Sequence, residues 1–571
     1  MYASNLEVMM KTKLLTALAT LVEGFLVFWF WLPAINPRYP GFWGFLFLMV
    51  ALVFVNYAIL TYLLDKRTVH FNVKASYAKP VLIVAGVAAL AVAGCALSGM
   101  PLFRANDYKD LIQKQDGNFA DDIAELKMSQ IPVVDKDSAM RLGNRKMGEM
   151  IDLVSQFEVA DNYTQINYQG RPIRVTPLVY SDIIKWFNNQ SEGLPAYITV
   201  DMVTQEADLV RLDQGIKYSP GEYLYRNLER YLRFHYPTKI FDDPAFEIDD
   251  NGTPYWIAPI INYRIGVWGG RDIGEVVLLN ACTGECTLYP VEEVPQWVDQ
   301  VYNSDMIIEQ LNYNGAYQSG FWNSIFGQRG VLRTTEGYNY IANNDDVYLY
   351  TGITSVTSDQ SNTGFVLVNL RTKETKYYAV PGAQETSAMR SAEGKVQNLK
   401  YTSTFPILLN VGDRPTYFMS LKDAAGLVKM YAFVDVERYQ VVATGSTIPE
   451  AMQQYNELLV QEDPTAVVSE EASGTVTSVQ SVVIEGNTSY YFKLSGSDTV
   501  YIATIQVSDS LPFLKEGDQV KLKYSQDNNV RRVQELLEIN HSAASQSGVS
   551  GSGSDESSSS SQIQEDSSAA Q

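Results

Sequence analysis

The chain has 571 residues and a formal net charge of −21, so its length predicts several domains and its acidity disfavours nucleic acid as a partner. The charge is unevenly spread: residues 1–103 carry +4, from seven Lys or Arg against three acids, so residues 104–571 carry −25. The sequence therefore predicts an apolar N-terminal part and an acidic, water-exposed remainder.

Three apolar runs lie in the first part, at about 14–35, 43–64 and 80–103. Each reaches the roughly 20 residues that a helix needs to cross the hydrocarbon core. Positive charge stays on the cytoplasmic side of a membrane. The first loop has one basic residue and the second loop has four, at Lys66, Arg67, Lys74 and Lys79. We therefore predict a multi-pass protein of the plasma (inner) membrane, with a cytoplasmic N-terminus and residues 104–571 extracytoplasmic.

Two polar residues lie inside the predicted spans. Glu23 is near the middle of the first run, where an ionised carboxylate would cost roughly 2.5–3.5 kcal/mol. Asn56 lies at a similar depth if the first two helices are antiparallel neighbours. The favoured interpretation is a protonated Glu23 hydrogen-bonded to Asn56 or to another subunit, and the alternative is a proton or ion path.

A β-hairpin pattern occurs four times in the acidic part, at 197–210, 276–289, 365–378 and 431–444. Each copy has an alternating apolar run, an Asp or Asn, a polar turn and another alternating run, which predicts two strands and a turn. Three copies share Thr and Glu in the turn. The motif residues are Asp201, Thr204, Glu206, Asn280, Thr283, Glu285, Asn369, Thr372, Glu374 and Asp435.

A further strand and a helix-like segment precede each hairpin. The strands lie at 170–180, 252–262, 345–356 and 413–423, and the helices at 138–157, 221–236, 294–311 and 385–401. The predicted unit is therefore helix, strand, strand, turn, strand, in an α+β architecture of layered helices and antiparallel sheets. After a linker at 104–137, the four repeats are 138–218, 219–292, 293–383 and 384–462.

This unit resembles PepSY-type modules, whose hairpin reads apolar strand, Asp-x-x-Thr-Gly-Glu, apolar strand. The segment "LLNACTGECTLYP" at 278–290 carries the resemblance, with Asn280 where the family has Asp, and the other three copies are more degenerate. The resemblance covers about 138–445. It implies extracytoplasmic modules that bind or regulate other proteins, often peptidases or envelope components, and it implies no catalytic residues.

Cys282 and Cys286 flank Thr-Gly-Glu in the second hairpin. If they face each other across a three-residue loop, their Cα atoms lie within the range that a disulfide accepts. Outside the membrane the compartment is oxidising, so we predict a disulfide between them. A zinc site and a Cys-x-x-Cys redox pair fit this spacing less well.

A small all-β domain is predicted at 473–536. About five short alternating strands, with "EGN" and "EGD" as turns, indicate an OB-like or SH3-like barrel. The Ser-rich, acidic segment 541–571 has too little apolar surface to fold and is predicted to be a disordered tail.

No catalytic, cofactor or metal motif stands out in the sequence. Five acids at 242–250 leave two interpretations open, a solvated turn or a Ca²⁺ site: Asp242, Asp243, Glu247, Asp249 and Asp250. We expect a non-enzymatic, membrane-anchored envelope protein whose repeats form an extended outer scaffold or regulator for envelope proteins or wall polymers. The alternative is a transporter accessory subunit or an envelope hydrolase that depends on Glu23.

Overall fold

The computed structural model describes residues 2–65, 86, 90–123, 131–343, 345–356, 361–462, 470–484, 487–497, 499–505, 507–527 and 530–541. They form a mixed α+β protein with two compact units, residues 1–466 and 467–571, so the predicted α+β class is confirmed. The predicted second cytoplasmic loop, much of the third apolar run and almost all of the predicted tail lie outside the described residues.

Two N-terminal helices, α1 (Tyr2–Trp31) and α2 (Pro40–Asp65), pack against each other. Their segments Met10–Trp31 and Pro40–Leu63 are long and apolar enough to cross a membrane. The rest of the chain leaves most of their surface exposed, as the surface of a lipid-facing helix would be. In the third apolar run, residues 90–98 are helical.

The remaining helices and strands alternate along the chain. The helices are α3 (Pro101–Lys109), α4 (Lys136–Gly148), α5 (Ile183–Asn189), α6 (Leu228–His235), α7 (Ser304–Ala316), α8 (Glu385–Lys395) and α9 (Ile448–Glu462). Short helical turns lie at Phe119–Asp122, Leu224–Arg226, Val291–Glu293, Gly320–Trp322, Asn323–Gly327 and Leu511–Phe513.

Twenty-one strands belong to the four repeats and the linker before them, among the residues that the structure describes. They are β1 (Lys114–Asp116), β2 (Phe157–Val159), β3 (Thr164–Tyr168), β4 (Arg171–Tyr180), β5 (Leu194–Asp201), β6 (Ala207–Ile216), β7 (Ala245–Ile248), β8 (Pro254–Ile265), β9 (Gly269–Asn280), β10 (Cys286–Pro290), β11 (Leu332–Thr334), β12 (Asn339–Asn343), β13 (Asp346–Ser355), β14 (Ser361–Asn369), β15 (Thr375–Tyr378), β16 (Gly382–Ala383), β17 (Thr402–Ser403), β18 (Ile407–Val411), β19 (Arg414–Lys422), β20 (Val428–Asp435) and β21 (Val442–Gly445).

Each repeat contains a four-stranded antiparallel meander preceded by a helix. The meanders are β3 to β6, β7 to β10, β12 to β15 and β18 to β21, and the helices are α4, α6, α7 and α8. The sequence predicts the last three strands of each meander and misses the first. These first strands are only four or five residues long, and a segment of that length gives a weak periodic signal.

The repeats form one cluster, so the expected extended scaffold is wrong. Repeat 1 contacts repeat 2 through Gln169 Nε2 and the Asp250 carbonyl at 3.1 Å, and repeat 4 through Gln205 Nε2 and the Tyr431 hydroxyl, also at 3.1 Å. Repeats 2 and 3 share one hydrophobic core. The cause is that each helix covers only one sheet face, so the remaining apolar surface is buried against other repeats.

Five strands between residues 470 and 540 form a closed barrel, which confirms the predicted small barrel. Its strands are β22 (Glu470–Ile484), β23 (Asn487–Leu494), β24 (Val500–Thr504), β25 (Gln519–Asp527) and β26 (Val530–Asn540). The third and fifth strands are parallel, and the order β22-β23-β24-β26-β25 closes through β22 and β25. This order favours the OB-like over the SH3-like alternative.

Candidate functional site

Three of the four predicted hairpin motifs fold into the same turn. In each, the Oδ1 atom of the leading Asp or Asn accepts two backbone amides at 2.8–3.0 Å, as at Asp201, Asn280 and Asn369. The Thr hydroxyl then accepts the amide of the Glu two residues later, at 3.2–3.4 Å. The shared residue types therefore specify a turn of fixed shape.

The Thr and Glu of these turns serve the backbone. Both side chains are exposed in all three turns, at Thr204, Glu206, Thr283, Glu285, Thr372 and Glu374. The residue between them has a positive φ in each case, with 81° at Gly284 and 64° at Gln205. The geometry of the turn therefore explains why three repeats share Thr and Glu, and a catalytic role is not needed to explain it.

The fourth turn is one residue longer than the others. The Asp435 amide bonds to the carbonyl of Val441, six residues on, whereas the Asn280 amide bonds to the carbonyl of Glu285, five residues on. Asp435 Oδ1 still accepts a backbone amide, that of Arg438, at 2.7 Å. The leading acceptor is therefore common to all four repeats, and the Thr-Glu pair is common to three.

The residue after the leading Asp or Asn joins each hairpin to the segment that enters its helix. Its carbonyl accepts one or two amides from that segment, as at Ala281 from Lys217 and Tyr218 (2.9 and 3.0 Å). The equivalent carbonyls are those of Met202, Leu370 and Val436. The turn is therefore the point at which sheet and helix are fastened together in every repeat, which supports the internal equivalence of the four units.

The two cysteines of repeat 2 do not face each other. Strand pairing places Cys286 opposite Leu279, while Cys282 lies inside the turn and donates its amide to Asn280 Oδ1 at 3.0 Å. The predicted facing geometry is therefore wrong, because the turn is longer than the three residues between the cysteines. Both are free thiols in the structure, and burial raises the pKa of each to about 11. The disulfide stays a prediction.

A cleft of about 520 Å³ lies between repeats 1 and 2 and brings two of the predicted turns together. Asp201 comes from one turn, and Asn280 and Thr283 come from the other. Arg171 lies beside Asp201, with Nη1 3.6 Å from its carboxylate. The cleft is open and polar, so its lining suits an extended peptide or a glycan better than a small apolar ligand.

A pair of buried acids, missed by the sequence analysis, lies where repeats 1, 2 and 3 meet. Glu247 accepts the amides of Asp299 and Gln300 at 2.9 and 2.8 Å, and Asp299 Oδ2 accepts the amide of Asn167 at 2.7 Å. Among the described residues, Asp299 Oδ1 has no hydrogen-bond donor. Burial raises the pKa of Glu247 to about 7, and burial together with the Glu247 charge raises the pKa of Asp299 well above its usual range.

The acidic stretch at 242–250 divides into separate structural roles. Glu247 is the buried acid described above, and Asp249 Oδ1 accepts the amides of Asn251 and Thr253 at 2.9 and 2.8 Å to form the β7–β8 turn. In the part of the chain that the structure describes, no group of three or more His, Cys, Asp or Glu is placed to hold a metal ion. A solvated turn describes only part of this stretch, because Glu247 is fully buried.

The two polar residues of the predicted spans, Glu23 and Asn56, are in contact. Asn56 Nδ2 donates to Glu23 Oε2 at 2.6 Å and lies 3.2 Å from Thr20 Oγ1. This is the hydrogen bond that the sequence predicts within one chain. Thr12, Thr16, Thr20 and Asn56 are buried between α1 and α2, so the polar contact continues a hydroxyl-lined seam along the helix pair.

A second feature missed by the sequence analysis, the anchor contact, joins the α1–α2 loop to repeat 2. Arg233 Nε donates to the Leu32 carbonyl at 2.9 Å, and Arg230 Nε to the Trp29 carbonyl at 3.2 Å. Asn36 Nδ2 donates to Thr238 at 2.9 Å. Arg230 and Arg233 are three residues apart and therefore lie on one face of α6. This spacing is the signal in the sequence that could have indicated a shared contact.

The chain leaves the third apolar run beside the same repeat. Gly266, in the β8–β9 turn, has a φ of +58°, and a Cβ atom there would lie 2.8 Å from the Gly99 amide nitrogen. Tyr108 of α3 donates to the Gly99 carbonyl at 2.6 Å. Asn314 of α7 donates to the carbonyls of Lys109 and Ile112 at 3.0 Å. The α1–α2 loop therefore meets repeat 2, and the C-terminal end of the apolar region meets repeats 2 and 3.

Comparison with family models and with curated proteins gives no match for this chain. Inferences about its function therefore rest on its own residues and geometry.

Proposed function

We propose that this chain is a non-enzymatic, membrane-anchored cell-envelope protein whose extracytoplasmic repeats act as a scaffold or regulator for other envelope proteins or wall polymers. The anchor contact carries the proposal. It binds the loop between two membrane-length helices to repeat 2 through Arg230, Arg233 and Asn36. A rigid junction of this kind suits a protein that presents a folded surface at a fixed position above a bilayer.

The proposed topology has three spans, with the N-terminus cytoplasmic and residues 104–571 outside. In that topology the first loop and the end of the third span emerge on the same face as the repeats. The contacts of Asn36 and Gly99 with repeat 2 support this arrangement, because both segments must lie on that face to reach it.

The likeness of the repeats to PepSY-type modules remains part of the proposal. Its support is the common turn at Asp201, Asn280 and Asn369 and the fastening carbonyl that follows each. The 520 Å³ cleft beside two of these turns is the surface where we place partner binding. Its mixed acids and arginines would recognise a polar extended chain.

The test is cross-linking of intact cells with a membrane-impermeant, amine-reactive reagent, followed by mass spectrometry. Lys109, Lys239 and Lys429 are expected to react, and Lys11 and Lys66 serve as the matched cytoplasmic controls. Links from repeats 1 and 2 to one envelope enzyme or transporter would support a scaffold or regulator. Labelling of the controls without the outer lysines would reverse the topology and refute the proposal.

The second candidate is a transporter accessory subunit or envelope hydrolase that depends on Glu23. The contact of Glu23 with Asn56 favours it, because a polar group inside a span is costly and frequently functional. Glu23→Gln keeps an oxygen that can accept from Asn56 but removes the titrating proton. A null phenotype with normal membrane levels would support this candidate, and normal growth would exclude it.

A further inference from the structure

An apolar face, here called the docking face, runs from α5 to the segment before α6. Its residues are Ile183, Ile184, Phe187, Tyr223, Leu224 and Tyr225. All six side chains are exposed, with Phe187 at 70% and Tyr225 at 59%. A contiguous exposed apolar surface of this kind marks an interaction site more often than chance exposure.

The fold holds the docking face rigidly outward. Trp186, on the inner side of α5, donates Nε1–H to Glu222 Oε2 at 2.7 Å, and Tyr180 donates to Oε1 at 2.8 Å. The Tyr223 ring lies 5.0 Å from the Trp186 ring. Asp182 caps the N-terminus of α5 by accepting two amides. Because α5 is pinned by a buried carboxylate, the outward position of Phe187 is a property of the fold.

The docking face begins where α1 ends. The Arg230 guanidinium donates to the carbonyls of both Leu224 and Trp29, and it stacks on the Trp29 ring with 4.6 Å to the centroid. The Phe234 ring lies 5.4 Å from Phe28 and 5.7 Å from Trp29. One side chain therefore joins the docking face to the last turn of a membrane-length helix, and the docking face continues the apolar surface of α1.

We propose that the docking face lies in the lipid–water interface of the bilayer that α1 and α2 cross, so that repeats 1 and 2 rest on the membrane surface. The inference depends on the membrane anchoring proposed above. Tyr side chains suit this position because an apolar ring carries a polar tip. The outer part carries −25, and an anionic membrane surface repels such a charge. Insertion of the apolar side chains of the docking face into the interface therefore supplies the attraction to the membrane, because the net charge does not.

A second exposed cluster next to α3 supports the same orientation. Trp322, Ile325 and Phe326 are exposed, and the Trp322 and Phe326 rings stack at 5.8 Å. The turn Gly320–Trp322 contacts α3, which begins at Pro101, at the end of the third apolar run. Exposed apolar residues therefore lie at two places next to the apolar N-terminal region: at the end of α1 and at the start of α3.

The test uses the full-length protein in vesicles of phosphatidylcholine and phosphatidylglycerol with alkyne-tagged acyl chains. The photo-cross-linker p-benzoylphenylalanine replaces Phe187 or Tyr225, and Tyr439 is the matched control. Tyr439 is also exposed but lies in repeat 4, which packs on repeats 1 and 3. We expect at least fivefold more lipid adduct from positions 187 and 225 than from position 439.

Equal adduct yields at the three positions would overturn the inference, and so would a protein adduct at position 187 in intact cells. A carbonate wash separates the two proposals: release of the protein refutes the membrane anchoring, whereas retention without lipid adducts refutes only the docking face. Acylation of Lys185, on α5, needs no substitution. It is expected to be several-fold slower in vesicles than in detergent micelles, and equal rates would contradict contact with the bilayer.

Discussion

Repeats 2 and 4 contain the same four-stranded meander but differ in what covers it. In repeat 2 the preceding helix, α6, turns Arg230 and Arg233 toward the end of α1. In repeat 4 the equivalent helix, α8, has Arg390 exposed and bonded within its own helix, to the Thr386 carbonyl. A further helix, α9, closes the repeat 4 sheet with the buried Tyr455. The four-stranded meander is therefore common to both repeats, and the repeats differ in what their covering helices contact.

The largest expected effect breaks the attachment of repeat 2. Arg233→Ala removes the donor to the partly buried Leu32 carbonyl and to the carbonyls of Tyr236 and Lys239. Because three partly buried acceptors lose a charged donor at once, we expect a loss of about 2–4 kcal/mol in the free energy of unfolding. Thermal and urea unfolding in detergent, followed by tryptophan fluorescence, measures it. Arg390→Ala is the matched control, expected within about 0.5 kcal/mol of wild type; equal losses would contradict the comparison.

The next effect concerns the buried acids of the two repeats. In repeat 4, Glu385 accepts from Tyr350 at 2.9 Å and from Asn362 at 3.5 Å, whereas in repeat 2 Glu247 lies beside the acid Asp299. Asp299→Asn removes the neighbouring charge and keeps an oxygen for the Asn167 amide. We expect it to raise the free energy of unfolding at pH 8 by about 1–3 kcal/mol.

The pH dependence has a definite sign. Glu247 has a folded pKa of about 7 against an ordinary value of 4.5, so the folded state retains a proton that the unfolded state loses. This group's contribution is therefore full below about pH 4.5 and is lost as the pH rises through 7. Urea unfolding from pH 5 to pH 8 is expected to show a smaller decline for Asp299→Asn than for wild type. Asp208→Asn, at an exposed site, is the control, and parallel curves for all three proteins would refute the coupling.

A smaller effect is expected from the turn of repeat 2. Asn280→Ala removes the acceptor for the amides of Cys282 and Thr283 and is expected to cost about 1–2 kcal/mol. Asn280→Asp keeps the acceptor and is expected within about 0.5 kcal/mol of wild type, measured by the same unfolding curves. If both substitutions had the same cost, the side-chain acceptor would not be the cause.

The smallest effect is the reactivity of Cys282 and Cys286. Burial raises the pKa of both thiols to about 11, so alkylation of the folded protein at pH 8 is expected to be slow. After denaturation without reductant, mass-tag counting tests the predicted disulfide, and labelling of both thiols would refute it. If these two residues accept tags only after reduction, the disulfide is present in cells. Cys95, in the third apolar run, is replaced by Ser to keep the count unambiguous.

Short-range sequence patterns predicted those elements of this protein whose formation depends on residues close together in the chain. Alternating apolar residues with an Asp or Asn at the turn identified the four hairpins, because a side-chain acceptor and a pleated strand depend on neighbouring residues alone. The same reasoning identified the apolar helices and the five-stranded barrel. It misjudged the register that would place Cys282 opposite Cys286, because pairing register depends on how many residues the turn contains, and that number is not visible in the cysteine spacing.

The sequence by itself determined the apolar N-terminal region, the acidity of the remaining chain, the repeated hairpins and the small barrel, since composition and periodicity reflect burial within one element. Only the tertiary structure decided that the repeats cluster, that Glu247 meets Asp299, and that Arg230 joins α1 to the docking face. These contacts join residues far apart in the chain, as with Trp29 and Arg230. Their formation depends on which remaining apolar surfaces pack together, and a linear pattern does not contain that information.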